Sequence, residues 1–494
     1  MPVHPLEFKT SVSKEAIYVQ LAHTLRQAIK AGELIKGTKL SSARTMADVY
    51  QINRHTVMNA LQLLVAEGWL ESKEKSGYFV TRSLPIDSSC QQQKQPQYQK
   101  KHLTFATTMS EPVTHDLGQY QYQFAGGLPD IASFPFNEFK SALSKVCQRV
   151  DSTKLHYGDI GGVDELKIQI QSYLYRARSL KVDDLLVCNG SQEALFLAAS
   201  VFITSGDYVA CETLGYPPAR RAFSACGARL IDIAQDQEGL CVADFELQLK
   251  QHNIKMLYLT PLHQYPTTVT LSPTRRLQIY KLCYQYGVVI IEDDYDHEFH
   301  YRCQPLQPMA ADDPAGIVIY ISTFSKLMFA GARVGYVSAA DEILVQMRAR
   351  KQLMNHKNDV LTQLGVAYWM AAGQFERHLK RATKLYKARY HAMADVLVQY
   401  QQQGLPLQFI KPDGGMAMWV DCQVNVQHVK QAAHKKGIYL QTEDEFYFAQ
   451  SAHSLKPSIT DMRHIRLGFA GQNTQQMQAG LTELMKIIYP QYLS

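Results

Sequence analysis

Residues Ser322-Thr323-Phe324-Ser325-Lys326 follow an apolar, β-type run, Ile317 to Ile321, and Arg333 comes seven residues after the lysine. A lysine amine can bond an aldehyde carbon, and small hydroxyls beside a guanidinium can hold a phosphate. Pyridoxal phosphate carries both groups, so the stretch suits that cofactor. A short Ser-x-x-Ser-Lys pattern also occurs on solvated surface loops, so its companions elsewhere in the chain decide the matter.

Four further features meet the needs of the same chemistry. The run Leu185 to Cys188 leads into Asn189-Gly190-Ser191-Gln192-Glu193, a strand, a glycine turn and a helix start whose free N–H groups would cradle a phosphate. The run Val288 to Ile291 ends in Glu292-Asp293-Asp294-Tyr295, which puts carboxylates at the end of a buried strand, where open α/β sheets bind ligands. A carboxylate there could keep a pyridine nitrogen protonated and make the ring an electron sink. Asp293 and Asp294 are both placed for it. Tyr216, in Gly215-Tyr216-Pro217-Pro218, could stack on a cofactor ring. Arg466, in Arg463-His464-Ile465-Arg466, could grip a carboxylate through two parallel hydrogen bonds. Each feature also has a plainer explanation: a connecting loop, a solvated acidic turn, a packing tyrosine, a surface arginine.

The elements that must position these residues divide the chain in three. From residue 122 to about 490, apolar runs alternate with amphipathic stretches, which predicts a mainly parallel sheet covered by helices on both faces. Residues 83–121 are polar and Gln-rich around Ser88 to Gln97, a linker composition. Residues 14–82 form a separate module. Apolar spacing predicts helices over 17–31, 42–49 and 56–68, a turn at 51–53, and strands at 69–71 and 77–81 around a basic hairpin at Lys73 to Gly77. This is a winged helix-turn-helix, whose third helix would enter a DNA major groove by its first residues. Asn53, Arg54, His55 and Thr56 stand there with groups suited to phosphates and base edges. A small protein-docking domain would show the same apolar stripe.

Composition is that of a soluble globular protein of two or three domains: 494 residues, 46% apolar, 19% charged, net charge +6. Residues 1–82 hold 11 Lys and Arg against 7 Asp and Glu, an excess that permits nucleic-acid binding without requiring it. The nine cysteines are scattered, with no CxxC pair, which predicts reduced thiols in a cytoplasmic protein and no metal site. No apolar run approaches about 18 residues and the first residues carry no apolar leader-type run, so neither secretion nor membrane spanning is expected.

The first module resembles the GntR-type winged helix through "IYVQLAHTLRQAIKAGEL", "GTKLSSARTMADVY", "NRHTVMNALQLLVAEGWLE" and "GYFVT". Ser41 replaces the proline usual in that family, which should affect helix entry more than binding, since Arg44 is kept. The resemblance implies that Arg44, Asn53, Arg54, His55 and Thr56 contact double-stranded operator DNA, with Lys73 and Lys75 supporting from the wing. Residues 120–490 resemble the fold-type I aminotransferases. The matching residues are Tyr157-Gly158-Asp159, Gly190-Ser191-Gln192-Glu193-Ala194, Asp293-Asp294-Tyr295, Ser322 to Lys326 with Arg333, Gly414-Gly415-Met416 and Arg466-Leu467-Gly468-Phe469.

That resemblance implies a pyridoxal phosphate bound to Lys326 as a Schiff base. Asp293 pairs with the ring nitrogen, with Asp294 its near rival, Tyr295 with the ring hydroxyl, and Tyr216 stacks on the ring. The phosphate falls to the Ser191 and Gln192 backbone, Thr323, Ser325, Arg333 and Tyr157 of a second subunit; Arg466 takes a ligand carboxylate. One segment departs from the family: His263-Gln264-Tyr265-Pro266-Thr267-Thr268 replaces Asn-Pro-x-Gly. His-Gln-aromatic-Pro, joined to a winged helix, is similar to the MocR/GabR regulators. That implies a homodimeric, head-to-tail transcription regulator, with no membrane role, that senses an amino compound or pyridoxal phosphate itself. Two alternatives stand beside it: an active aminotransferase carrying a DNA-binding head, and a repressor whose large domain only dimerises.

Overall fold

Helical periodicity in the first module is realised in three helices and a hairpin. The computed structural model describes residue 8 and residues 15–74, 76–84, 116–448, 455–458 and 461–492. Lys75 and the Gln-rich stretch Ser88 to Gln97 lie outside the described residues. The chain divides into two compact units, Met1–Thr108 and Met109–Ser494.

In the first unit, α1 (Ile17–Lys30) buries Leu21, Leu25, Ala28 and Ile29, one face of a 3.6-residue period. The second helix, α2 (Ala43–Tyr50), starts on a side-chain cap: Ser42 Oγ accepts from the Thr45 amide at 3.1 Å. That cap satisfies an amide the helix cannot, so entry without the family's proline is well supported. The third helix, α3 (Arg54–Ala66), begins two residues before the expected Thr56. Asn53 is the reason: its Oδ1 accepts from the His55 amide at 2.8 Å and caps the helix. Arg54 and His55 therefore stand on its first turn, both exposed, as are Asn53 and Arg44; Thr56 is half-buried. The wing is an antiparallel pair, β1 (Leu70–Lys73) and β2 (Gly77–Val80), with Glu71 opposite Phe79. The first strand runs two residues past its expected end at Glu71, which puts Lys73 on the wing, exposed, with its Nζ 5.0 Å from the centre of the Phe79 ring.

The second unit is built on a seven-stranded sheet. Its strands are β3 (Leu186–Cys188), β4 (Tyr208–Glu212), β5 (Arg229–Ile233), β6 (Ile254–Leu259), β7 (Val289–Asp293), β8 (Val318–Thr323) and β9 (Gly335–Ser338). They lie in the order β3-β9-β8-β7-β6-β4-β5, with β9 antiparallel to both neighbours and the rest of the sheet parallel. Side chains alternate between two buried faces. Val209, Met256, Tyr258, Ile291 and Ile319 pack toward α5 (Ser191–Phe202) and α6 (Pro217–Ala225). Ala210, Leu257, Ile290 and Val318 pack toward α7 (Val242–Gln251) and α8 (Pro273–Tyr286). Ahead of the sheet, α4 (Asp164–Arg178) ends on a buried arginine. Toward the C-terminus an antiparallel sheet joins β10 (Gln408–Phe409), β11 (Ala417–Asp421), β12 (Gln441–Thr442) and β13 (His464–Gly468) in the order β10-β11-β13-β12. The expected mainly parallel sheet with helices on both faces is what the chain forms. A 3-10 turn at Leu117–Gln119 falls within residues read as linker.

The Asn53 cap should be measurable. Asn53→Ala should cost about 1 kcal/mol of α3 stability and Asn53→Asp should retain it, read as amide hydrogen exchange along Val57 to Leu64 in the full-length protein. Equal protection in the alanine variant would remove Asn53 from the capping role.

Candidate functional site

The carboxyl ends of the parallel strands converge on a cavity of about 190 Å³. Ser191, Gln192, Tyr216, Asp293, Tyr295, Thr323, Ser325, Lys326 and Arg333, predicted from sequence, all line it, together with Gly127, Tyr258, Thr260, Tyr265 and Ala330. Most of these residues stand at or beside strand ends of the one sheet, while Gly127 comes from the segment after Tyr122–Gln123, which pairs with Ile438–Tyr439 outside that sheet.

Lys326 ends a 3-10 turn that leaves β8. Its Nζ donates to the Gly127 carbonyl at 2.9 Å. Burial pushes the amine below the usual lysine range, against the opposing pull of Asp296 and Asp293, and a lowered value leaves more of the amine unprotonated and nucleophilic. Thr323 Oγ1 lies 2.8 Å from Ser325 Oγ and donates to the Val334 carbonyl at 3.1 Å. Across from them, Gly190 opens α5 with φ of 79°, and its position offers no side chain to cap the helix. A Cβ there would stand 2.8 Å from Arg333 Nη2, so only glycine lets the guanidinium reach the Asn189 carbonyl, to which it donates. Uncapped helix amides, two hydroxyls and an arginine together make an anion cradle.

The two aspartates separate cleanly. Asp294 Oδ2 accepts from Arg178 Nη2 at 2.8 Å and from the Tyr320 hydroxyl at 2.7 Å, and this cluster is buried. Burial alone would raise the Asp294 carboxyl; the charges of Arg178 and His297 and the two hydrogen bonds outweigh it and hold the group at about 2. Asp293 faces the cavity instead. Its Oδ2 accepts from the Tyr258 hydroxyl at 2.9 Å, while Oδ1 is buried with no hydrogen-bond partner among the described residues. Burial pushes this carboxyl up to about 7. An outer oxygen with no partner, aimed into a cavity, is the natural acceptor for a ring N–H⁺. With the anion cradle, the Lys326 amine and this open oxygen lining one cavity, the site fits pyridoxal phosphate.

Arg466 is set apart from the cavity wall. It sits in mid-β13, 1% exposed, with its guanidinium carbon 4.2 Å from the centre of the Tyr265 ring. Its Nε and Nη1 have no partner among the described residues, and the charge is near enough to Lys326 to act on it. Tyr157 is not brought to the cavity: it is 86% exposed.

The sequence profile of the family described as aminotransferase class I and II matches residues 114–484. The chain belongs to that family. The profile of the gntR family of bacterial regulatory proteins matches residues 17–80. An uncharacterized HTH-type transcriptional regulator of Bacillus subtilis (strain 168), YhdI, is 25% identical, with 97% of each chain covered. The probable rhizopine catabolism regulatory protein MocR of Rhizobium meliloti is 28% identical over 75% of each chain. Among solved structures, a Pyrococcus horikoshii kynurenine aminotransferase in complex with PMP superposes with a TM-score of 0.68 at 29% identity, covering 75% of this chain and 91% of that one.

Within this aminotransferase-family domain, sequence reasoning missed four contributors. Tyr258 is hidden in an apolar strand run, and nothing along one strand marks its partnership with Asp293 on the next. Gly127 follows Gly126, and that glycine pair was the available signal. Tyr265 belonged to the departing His-Gln-Tyr-Pro segment without a role of its own. Arg178 ends a helix far from Asp294 in sequence, so only the fold joins them.

Exchanging the two aspartates for asparagine should give opposite results. Asp294→Asn leaves the Arg178 charge buried and uncompensated and should destabilise by about 3–5 kcal/mol in urea unfolding. Asp293→Asn should unfold close to the parent protein. The folded Asp294 value lies below the roughly 3.9 of an unfolded aspartate, so the stability it lends is complete above about pH 4 and is lost as pH falls through about 2. An acid limb unchanged in Asp294→Asn would contradict this assignment.

Proposed function

We propose that the chain is a pyridoxal phosphate-dependent transcription regulator. Its winged helix binds an operator, and its aminotransferase-type domain holds the cofactor and senses an amino compound or the cofactor itself. The observation that carries this is a GntR-type winged helix and an aminotransferase-type domain in one chain, with Lys326, Asp293 and the anion cradle lining one cavity. Such a regulator works in the cytoplasm, beside the chromosome.

When bound, the cofactor supplies an aldehyde and an electron-withdrawing ring. Lys326 is the attachment point, its amine made available by burial. Asp293 Oδ1 holds a proton at the ring nitrogen, and the Tyr258 hydroxyl fixes the other carboxylate oxygen. Tyr216 covers one ring face. Tyr295, whose hydroxyl donates to the His263 carbonyl at 3.1 Å, stands by the ring hydroxyl. The Ser191 and Gln192 amides, Thr323, Ser325 and Arg333 hold the phosphate. Arg466, with two donors open, takes a ligand carboxylate. Tyr157 serves the phosphate site of a second copy in a head-to-tail homodimer. Its exposure of 86%, with Leu353 at 81% and Leu155 at 51%, supports a surface that a second copy covers.

An active aminotransferase is favoured by one observation, the intact set of lysine, aspartate, tyrosine and arginine. Keto-acid formation separates the two: rapid turnover of many amino acids favours the enzyme, and operator binding with slow or no turnover favours the regulator.

The purified protein should be yellow, with a visible band that borohydride removes, and Lys326→Ala should lack it. A reducible chromophore surviving in the alanine variant would rule out Lys326 as the attachment. On the DNA side, Arg54→Ala should weaken operator binding by about 1–3 kcal/mol. Lys73→Ala should weaken binding to all sequences alike and flatten the salt dependence. Unchanged operator affinity in an Arg44→Ala, Arg54→Ala double variant would take the winged helix out of the DNA-reading role.

A further inference from the structure

Outside the cavity lining lies a buried pair that the cofactor roles above do not use. His263 Nδ1 is 2.7 Å from Asp296 Oδ1, and both residues are 2% exposed. A contact this short needs one proton between the two atoms, and with the carboxylate as acceptor His263 Nδ1 is the donor. The pair joins two segments of the site. Asp296 follows Asp293 and Tyr295 at the exit of β7; His263 opens the loop that holds Tyr265. A second tie runs through the main chain, since the Tyr295 hydroxyl donates to the His263 carbonyl at 3.1 Å.

The loop is tied to itself by hydrogen bonds. The Gln264 amide donates to the Val269 carbonyl at 2.9 Å, and the Thr268 amide to the Gln264 carbonyl at 2.7 Å. The Tyr265 amide donates to Thr260 Oγ1 at 2.9 Å. A displacement at His263 is therefore felt at Tyr265, whose ring lies 4.2 Å from the Arg466 guanidinium. The C-terminal sheet rests on the same pair. A Cβ at Gly414 would come within 2.7 Å of His263 Nε2, and one at Gly415 within 3.1 Å of Asp296 Oδ2. The glycine turn thus lays bare backbone on the pair, and it leads into β11, where Trp419 is registered opposite Arg466 on β13.

We infer that His263 and Asp296 are a positioning pair that holds the carboxylate platform, Tyr265 with Arg466, in register with the ring-binding residues Asp293 and Tyr295. The inference rests on the cofactor site proposed above and adds to it the residues that join its two halves. Stability alone does not account for the pair. His263 Nε2 and Asp296 Oδ2 are buried without partners among the described residues, a cost that an apolar pair of the same shape would avoid. Asp296 also provides the largest charge contribution acting on Lys326, opposing the lowering by burial, so the pair lies within electrostatic reach of the attachment amine.

Two non-covalent probes separate the halves of the site. Pyridoxamine phosphate has the ring and the phosphate but no carboxylate; N-phosphopyridoxyl-L-alanine has all three. Binding of each to full-length apoprotein is followed by pyridoxyl fluorescence. His263→Phe should bind pyridoxamine phosphate within threefold of the parent and the alanine adduct at least tenfold more weakly. His263→Asn, which returns a donor near the Nδ1 position, should recover the adduct to within threefold. Should His263→Phe fail to fold, seen as loss of the cooperative urea unfolding transition of the second unit, Asp296→Asn carries the test. It weakens a charge-assisted hydrogen bond without changing shape, and should cost the adduct at least threefold with pyridoxamine phosphate unaffected. Equal losses for both probes, or no loss for either, overturn the positioning role. A parent protein that binds neither probe overturns the cofactor site itself.

Discussion

Successive side chains on a strand point to opposite faces, and the site depends on what that rule does at the exit of β7. Two adjacent aspartates leave the strand there and cannot serve the same partner. Arg178 and Tyr320 take Asp294 into a buried cluster. Asp293 is thereby turned to the other face, where Tyr258 from the neighbouring strand fixes one oxygen and leaves the second open. The orientation of the acid that would meet the cofactor ring is set from behind, by an ion pair that never touches the ligand. Buried ion pairs are weak stabilisers compared with apolar packing, but removing one partner is costly. That asymmetry suits an element whose task is to fix a direction.

Much of this was legible in one dimension. Alternating apolar runs and amphipathic helices gave the mainly parallel sheet, and a period of 3.6 gave the three helices of the first module. The lysine with its hydroxyls and arginine, the glycine turn at 190 and the acidic strand end all lie in short segments. Their residues act close to where they stand in the chain, which is why spacing exposes them. What stayed hidden acts across the chain. Choosing between Asp293 and Asp294 required knowing where Arg178 ends its helix. Tyr258 looks like core because its ring is core, and only its hydroxyl is functional. The start of α3 was placed late because Asn53 was read for its DNA-facing donors, while the fold uses its oxygen as a cap. Tyr157 stands exposed on the single chain, away from the cavity that its motif suggested.

The arginine of β13 shows how the same fold can hold a charge in waiting. A guanidinium that is 1% exposed, with two donor nitrogens unpaired among the described residues, is unfavourable unless something compensates it. The Tyr265 face provides part of that compensation, since a cation over an aromatic ring is attracted to its negative quadrupole. A carboxylate would satisfy the rest. Ligand affinity in such a site comes partly from relieving a burden already present in the empty protein.

Asp293 carries a different consequence. With its carboxyl pushed up to about 7 by burial, an appreciable share of empty sites near neutral pH hold that group as the acid, its proton on a carboxyl oxygen. A pyridine nitrogen bound there would face an oxygen that already carries a proton, and Asp293 could supply the proton that makes the ring a pyridinium. For those molecules no proton need be drawn from bulk water to create the charge pair. The proton drawn from solution on association would be smaller by that share, and the site would be in part its own reservoir for the charge on which its chemistry turns.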